Sequence, residues 1–131
     1  MPARRTINDL LADARSRIER VEPQDVGAAL AAGALLVDTR SSDQRREAGV
    51  IPGSVHVPLS VLPWRLDPAA ELPDPVLADP GRQVILVCDD GYSSSLAAAT
   101  LRDIGYDRAA DLAGGFNGWR AAGMPVEPAD R

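Results

Sequence analysis

The run Gln-Val-Ile-Leu-Val at residues 83–87 constrains the fold most, because a short apolar, β-branched run is typical of a strand covered on both faces. Residues 34–38 form a second run of this type, and residues 54–57 and 109–112 are shorter candidates. Segments with helical character separate these runs along the chain. Strands that alternate with helices predict the α/β class, in which a parallel sheet carries helices on both faces.

Six segments carry helix signals. Apolar residues recur at helical spacing in the first, where Thr6 can cap the helix and Asp9 occupies the capping-box position three residues later. Pro23 suits the first position of the second helix, and Gly33 suits its end. The predicted helices span residues 6–20, 23–32, 41–48, 58–66, 93–104 and 115–122.

Length and composition limit the classes of protein to which the chain can belong. The 131 residues suit one globular domain with a continuous core, and 45% of them are hydrophobic. All 14 basic residues are arginine and the net charge is −5, which argues against nucleic acid as a partner. No stretch approaches the roughly 20 apolar residues of a membrane span. The basic N-terminus lacks the apolar region of a signal peptide, so we expect a cytoplasmic protein.

The single cysteine, Cys88, stands directly after the strand predicted at residues 83–87. In open α/β sheets, ligands bind at this carboxyl edge. The loop after Cys88 contains Gly91 and leads into a serine-rich helix start, so its backbone N–H groups can form an anion-binding nest. The helix N-terminus adds about 0.3–1 kcal/mol in favour of a nearby anion. Because both effects favour a thiolate, we interpret Cys88 as chemically active rather than as a buried structural residue.

Three tracts form a set of motifs along the chain. The first consists of residues 36–40, Leu-Val-Asp-Thr-Arg, and residues 49–58, Gly-Val-Ile-Pro-Gly-Ser-Val-His-Val-Pro. The second is residues 87–94, Val-Cys-Asp-Asp-Gly-Tyr-Ser-Ser, and the third is residues 114–126, which begin Gly-Gly-Phe-Asn-Gly-Trp. In order and spacing, the tracts resemble the first signature, the active-site loop and the closing signature of rhodanese domains, over about residues 20–126.

This resemblance implies a rhodanese-like fold, with a central five-stranded parallel sheet and helices on both faces. The helix predicted at residues 6–20 adds an extra N-terminal helix to this fold. The predicted division is an N-terminal helical extension at residues 1–19, a rhodanese-like domain at residues 20–127 and a C-terminal tail at residues 128–131. The N-terminal helix either covers the core or contacts another subunit, and the sequence leaves both open.

The resemblance also implies an activity, the transfer of sulfur. A cysteine thiolate would take a sulfane sulfur from a donor of the thiosulfate, persulfide or mercaptopyruvate type, become a persulfide, and pass the sulfur to a nucleophilic acceptor. The expected partners are a small sulfur donor and a thiol or protein acceptor, without a membrane or nucleic acid. We expect neither a cofactor nor a metal.

Site residues follow from the same resemblance. Cys88 would be the nucleophile. The residues after it would form the cradle for the sulfur: Asp89, Asp90, Gly91, Tyr92 and Ser93. Ser94, Asp38 and Arg40 would support the site, the last two as an ion pair. The hydroxyl of Ser93 is a candidate hydrogen-bond donor to the sulfur anion, with capping of the following helix as the alternative.

Other residues carry weaker hypotheses. Trp64 and Arg65 are candidates for the wall of the cleft, and the alternative is that Trp64 packs on the sheet while Arg65 is solvated. His56, the only histidine, lies in an alternating strand and is interpreted as structural rather than as a catalytic base. Trp119 shares one helix face with Phe116, which predicts a core position.

Two features depart from the family pattern. Val50 replaces the usual histidine of its tract, which affects local packing, and Asp89 and Asp90 place two acids where the best-known thiosulfate users carry basic residues. A unit charge about 7 Å away contributes about 2.4 kcal/mol at an effective dielectric near 20, and about 0.6 kcal/mol with water-like screening. Thiosulfate, a dianion, is therefore predicted to be a poor donor unless these carboxylates point outward.

Two other functions are considered. A cysteine phosphatase or arsenate reductase of related fold is disfavoured, because such enzymes need an arginine in the loop and none occurs between Cys88 and Arg102. A rhodanese-like binding or regulatory module without turnover is the stronger alternative. The intact cysteine argues against it, and the acidic loop argues for it.

Overall fold

The computed structural model of the protein describes residues 3–129, and five strands within that range form one sheet. In chain order the strands are β1 (Glu19–Val21), β2 (Leu35–Asp38), β3 (Val55–His56), β4 (Val84–Val87) and β5 (Ala109–Leu112). All neighbouring strands are parallel, and the order β1-β5-β4-β2-β3 places β4 at the centre. The predicted five-stranded parallel sheet is confirmed.

Helices cover both faces of this sheet, as predicted. In chain order they are α1 (Ile7–Ser16), α2 (Val26–Ala31), α3 (Ser42–Ala48), α4 (Leu62–Leu66), α5 (Ser93–Asp103) and α6 (Gly115–Ala121), with a 3₁₀ turn at Pro23–Asp25 before α2. Side chains of α4 and α5 pack on one face, and α1 packs against α5. Side chains of α2 and α6 pack on the other face. No helix within residues 3–129 has both the length and the apolar character needed to cross a membrane.

The two-sided core explains why β4 is apolar throughout. Val84 and Leu86 belong to the cluster with α4 and α5, whereas Ile85 and Val87 belong to the cluster with α2 and α6. All four side chains are buried. Trp119 is also buried and lies in the second cluster, which confirms its predicted core position.

The start of the chain differs in part from the prediction. The capping box is present, because Thr6 Oγ1 accepts from the N–H of Asp9 at 3.1 Å and the Asp9 carboxylate accepts from the N–H of Thr6 at 2.8 Å. The helix predicted over residues 6–20 is nevertheless too long, since its last residues belong to strand β1 (Glu19–Val21). Only Val21 of this edge strand is buried, so backbone pairing with β5 rather than apolar patterning defines it.

Two other predicted helices are shorter than expected. The second begins as a 3₁₀ turn, and only the end of the segment predicted at residues 58–66 is helical, as α4. The Leu59 N–H donates to the carbonyl oxygen of Thr39 at 3.2 Å. This bond holds the chain before α4 beside the end of β2, so the helix starts later.

Candidate active site

Cys88 follows β4, where the central strand ends between its neighbours β2 and β5. Its side chain is buried, and three protein groups lie within hydrogen-bond distance of the sulfur. The N–H of Gly91 donates at 3.2 Å, the N–H of Ser94 donates at 3.4 Å, and the Ser94 hydroxyl lies at 3.2 Å. Gly91 has φ +85°, a conformation that favours glycine and turns the loop back over the sulfur.

These contacts make the Cys88 thiol easier to ionise. Burial raises the pKa of Cys88, but hydrogen bonding to the Ser94 hydroxyl opposes this effect most strongly. The Ser93 hydroxyl and the N–H groups of Ser94 and Gly91 act in the same direction as Ser94. The net result is a pKa of Cys88 below the ordinary value of a thiol.

Of the two serines at the start of α5, Ser94 makes the stronger contact with the sulfur, and the Ser93 hydroxyl singled out from the sequence acts beside it. Ser93 also favours the thiolate, yet the hydrogen bond at 3.2 Å involves Ser94. Successive residues of a helix differ by about 100° in direction, so two adjacent serines at the start of α5 face different surroundings. Ser93 lines two surface grooves, whereas Ser94 is fully buried behind Cys88.

Behind the cysteine lies a buried polar network that the sequence analysis missed. Ser94 Oγ donates to Asp111 Oδ2 at 2.7 Å, and Ser95 Oγ donates to the same oxygen at 2.8 Å. Asp111 lies in β5, is fully buried, and forms an ion pair with Arg20 Nε at 3.0 Å. A charged residue inside a strand predicted to be buried is the signal that identifies Asp111 in retrospect, because such a residue needs a partner.

The two acids of the loop are directed toward the flanking helices. Asp89 Oδ2 accepts from Gln44 Nε2 of α3 at 2.6 Å. Asp90 is exposed, and its Oδ1 accepts from Asn117 Nδ2 of α6 at 2.9 Å. Both carboxylates therefore flank the loop without a hydrogen bond to the sulfur of Cys88.

Asp38 and Arg40 form a buried ion pair beside the site, as the family resemblance implied. Arg40 Nη2 lies 2.9 Å from Asp38 Oδ2, and Arg40 Nε lies 3.1 Å from Asp38 Oδ1. The guanidinium also packs over the ring of Phe116 at 3.8 Å. Because the N–H of Phe116 donates to the carbonyl oxygen of Cys88 at 2.8 Å, the pair supports the backbone that carries the cysteine.

The start of α6 closes the loop from the side. The N–H of Asn117 donates to the carbonyl oxygen of Asp89 at 2.9 Å, beside the bond from Phe116 to Cys88. Gly115 makes this approach possible: a Cβ there would lie 2.6 Å from the carbonyl oxygens of both Cys88 and Asp89. The closing tract thus requires glycine at position 115 for a steric reason.

The remaining candidates lie outside the loop. Trp64 and Arg65 border a surface cavity of about 580 Å³, lined also by Val61 and residues 69–72 and by no residue of the loop. Their place in the cleft stays a prediction. His56 Nε2 donates to the carbonyl oxygen of Arg40 at 2.7 Å, which fits a structural role. Within residues 3–129, no three His, Cys, Asp or Glu side chains are grouped so that they could hold a metal ion.

A family model, described as Rhodanese-like domain, matches residues 22–122 of this chain. The chain belongs to the rhodanese-like domain family. The match includes Cys88, its loop and strands β2 to β5, whereas α1 and β1 precede it. The recognition of this family from the three sequence tracts is confirmed.

Individual relatives of the rhodanese-like chain agree with this membership. It is 33% identical over 106 residues to a thiosulfate sulfurtransferase GlpE of Pseudomonas savastanoi, covering 81% of this chain and 91% of that protein. It is 33% identical over 92 residues to a sulfurtransferase of Allochromatium vinosum, covering 70% and 77%. A structure from Rhodopseudomonas palustris, of a protein of unknown function described as a possible tyrosine phosphatase, superposes with a TM-score of 0.86 at 32% identity, covering 97% of this chain and 99% of that one.

Proposed function

We propose that this rhodanese-like domain is a sulfurtransferase that carries a sulfane sulfur on Cys88 as a persulfide. The observation that carries the proposal is the surroundings of the Cys88 sulfur: two backbone N–H groups donate to it at 3.2 and 3.4 Å, and the Ser94 hydroxyl, which can turn to donate, lies at 3.2 Å. Such donors stabilise a sulfur anion, which is the reactive form of the group. The relatives named as sulfurtransferases support the same chemistry.

The transfer consists of two displacements at sulfur. In the first, the Cys88 thiolate attacks the sulfane sulfur of the donor, a new S–S bond forms, and the donor's S–S or C–S bond breaks with its electron pair on the leaving group. In the second, the thiolate of a small-molecule or protein acceptor attacks the outer sulfur of the persulfide. The bond to Cys88 then breaks, and Cys88 leaves as a thiolate. The two steps together consume no external oxidant or reductant.

Ser94 and Asp111 fit the charge changes at Cys88. When Cys88 is a thiol, its S–H can donate to Ser94 Oγ while the Ser94 hydroxyl donates to Asp111. When Cys88 leaves as a thiolate, rotation of the hydroxyl turns the Ser94 proton toward the sulfur instead. The same serine thereby serves both protonation states, and Asp111 provides the alternative acceptor.

The reactivity of Cys88 toward alkylation is expected to titrate at a midpoint below the value of about 8.5 for free cysteine. A thiol with a lowered pKa is deprotonated at a lower pH, so the rate of reaction with iodoacetamide rises earlier on the pH scale. Ser94→Ala removes the strongest stabilising contact and should shift the midpoint upward. A midpoint above about 9 in the unaltered protein would show that burial dominates, and would contradict the proposed cradle.

The donor is expected to carry less charge near its transferred sulfur than thiosulfate does. The residues of the loop from 88 to 94 include two acids and no arginine. Because Asp89 and Asp90 are held toward Gln44 and Asn117, the weaker, water-like estimate of repulsion applies, about 0.6 kcal/mol for each charge.

Replacing both acids by asparagine keeps their size and removes this repulsion. We expect kcat/KM for thiosulfate to rise about threefold for each site, while kcat/KM for a persulfide or mercaptopyruvate donor changes much less. The measurement is the ratio of the two donors' kcat/KM in the original protein and in the double variant. A ratio that does not move would show that the acids serve another purpose, such as recognition of a basic protein acceptor.

Two alternatives are separated by direct observation of the cysteine. A binding module without turnover would gain no sulfur, whereas a sulfurtransferase incubated with a sulfane donor gains the mass of one sulfur atom on Cys88. Mass spectrometry of the intact protein makes this distinction.

A phosphatase activity, named only as possible for the Rhodopseudomonas palustris relative, is disfavoured here, because the loop lacks an arginine to bind a phosphate through paired hydrogen bonds.

A further inference from the structure

We infer that Arg15 and Arg20, which both precede the family-matched residues, are positioning residues that hold the active-site loop through the carbonyl oxygen of Gly91. The inference rests on the proposed function, since it concerns the same loop. Arg15 lies in the last turn of α1, and Arg20 lies in β1. According to this inference, α1 and β1 influence the chemistry at Cys88 through these two arginines.

The Gly91 carbonyl oxygen accepts hydrogen bonds from two charged side chains. Arg15 Nη2 donates to it at 2.7 Å and Arg20 Nη2 donates at 3.0 Å. The Ser95 hydroxyl lies at 3.2 Å from the same oxygen. Hydrogen bonds from charged donors are stronger than neutral ones, so two guanidinium groups fix this carbonyl in one direction.

The direction of the carbonyl determines where the next N–H points. In a planar trans peptide, the C=O of Gly91 and the N–H of Tyr92 lie on opposite sides, so the Tyr92 N–H is turned away from the two arginines. Among residues 3–129, no protein atom accepts a hydrogen bond from this N–H. The arginines thereby fix the direction of a loop N–H that has no acceptor in this range, next to the Gly91 N–H that contacts the Cys88 sulfur at 3.2 Å.

Each arginine is also tied to a second part of the site. Arg15 Nε donates to Ser95 Oγ at 3.1 Å, and its guanidinium lies 5.4 Å from the centre of the Tyr92 ring. Arg20 Nε donates to Asp111, which accepts from Ser94. Removing Arg20 would leave the buried Asp111 charge uncompensated, so Arg15 is the cleaner residue for an experiment.

Other charged groups around Cys88 come from every element packed against the loop. The acids are Asp89 and Asp90 of the loop, Asp38 of β2 and Asp111 of β5. The cations besides Arg15 are Arg20 of β1, Arg40 after β2, Arg45 of α3 and Arg120 of α6, which donates to Asn117. None of these residues is altered when Arg15 is substituted, so comparison with a variant of nearby Arg17 isolates the effect of Arg15.

Arg15→Met is the test, and Arg17→Met is the matched control. Arg17 lies directly after α1 and pairs with Asp103 of α5 at 2.9 Å, without contact to the loop. We expect Arg15→Met to lower kcat for sulfur transfer about fivefold with KM changed less than twofold, because the freed peptide loses a contact that is stronger in the transition state. The midpoint of Cys88 alkylation should also rise, because a cation near the thiolate is lost and the Gly91 peptide is no longer held. Arg17→Met should change kcat and KM by less than about twofold and leave the alkylation midpoint in place, although it also removes the ion pair with Asp103 of α5.

Arg15→Lys keeps one cationic donor and should recover part of the loss. If Arg15→Met does not fold, Arg15→Lys is compared with Arg17→Lys instead, with a loss of about twofold expected for the first only. Equal effects of the two methionine variants, or no recovery by lysine, would overturn the inference. A failure of the proposed function is distinguishable: the original protein would then transfer no sulfur from any donor, while the alkylation comparison still reports on the loop.

Discussion

Replacing Cys88 with serine is expected to abolish sulfur transfer, with a loss on the order of a thousandfold or more relative to the original protein. A serine hydroxyl has nearly the volume of the thiol and can use the donors supplied by Gly91 and Ser94. It cannot form a persulfide, and it stays protonated at neutral pH. The measurement is the rate of transfer from the best donor to a thiol acceptor, together with the loss of sulfur incorporation in the mass spectrum.

Thermal unfolding is the control for this variant. Because serine can satisfy the same neighbours, we expect the free energy of unfolding to change by less than about 1 kcal/mol. Activity above background in a folded Cys88→Ser protein would exclude Cys88 as the nucleophile. Loss of both activity and fold would require Cys88→Ala, which removes the sulfur without adding a polar atom, to repeat the test.

We expect Gly115→Ala to lower the stability of the protein strongly. The residue has φ +61°, and an added Cβ would lie 2.6 Å from two backbone oxygens, so neither a flexible side chain nor a rotamer change can relieve the contact. The left-handed conformation costs about 1–2 kcal/mol for alanine, and forced backbone movement adds about 1–3 kcal/mol. Denaturant unfolding is expected to show a loss of about 2–5 kcal/mol, with sulfur transfer reduced because the loop carbonyls of Cys88 and Asp89 must move.

Gly123→Ala provides the comparison for this prediction. Gly123 has φ +75° and no heavy atom within 4 Å of an added Cβ, so it carries the conformational cost without the collision. We expect about 1–2 kcal/mol of destabilisation there and no effect on the activity of folded protein. Equal destabilisation at the two positions would show that α6 can shift away from the loop without cost.

Much of the fold could be predicted because local chemistry determines it. The apolar β4, the capping box of Thr6 and Asp9 and the buried Trp119 all follow from patterns within a few residues. Strand β1 could not be predicted in this way, because it forms only through pairing with the distant strand β5. Two of its three residues are not buried, so they give no apolar pattern. Edge strands with one buried side chain carry almost no periodic signal.

The site shows the same division between local and distant information. The position of Cys88 after a central strand, and the loop that follows, are readable from a few consecutive residues. The roles of Arg15, Arg20 and Asp111 depend on contacts between residues that are 71 to 91 positions apart. No short motif records such contacts, so only the three-dimensional arrangement identifies these residues.

The pairing of the first strand with the last has a consequence for biosynthesis. Glu19–Val21 must wait for Ala109–Leu112 before it gains a neighbour, and the Arg20–Asp111 ion pair spans 91 positions. Contacts this distant along the chain form slowly, because the entropy of closing the intervening loop opposes them. During translation, the chain must therefore be synthesised at least as far as Leu112 before β1 can support the cysteine loop. Until then, Cys88 lies in an unfinished sheet, without the buried network that links Ser94 through Asp111 to Arg20.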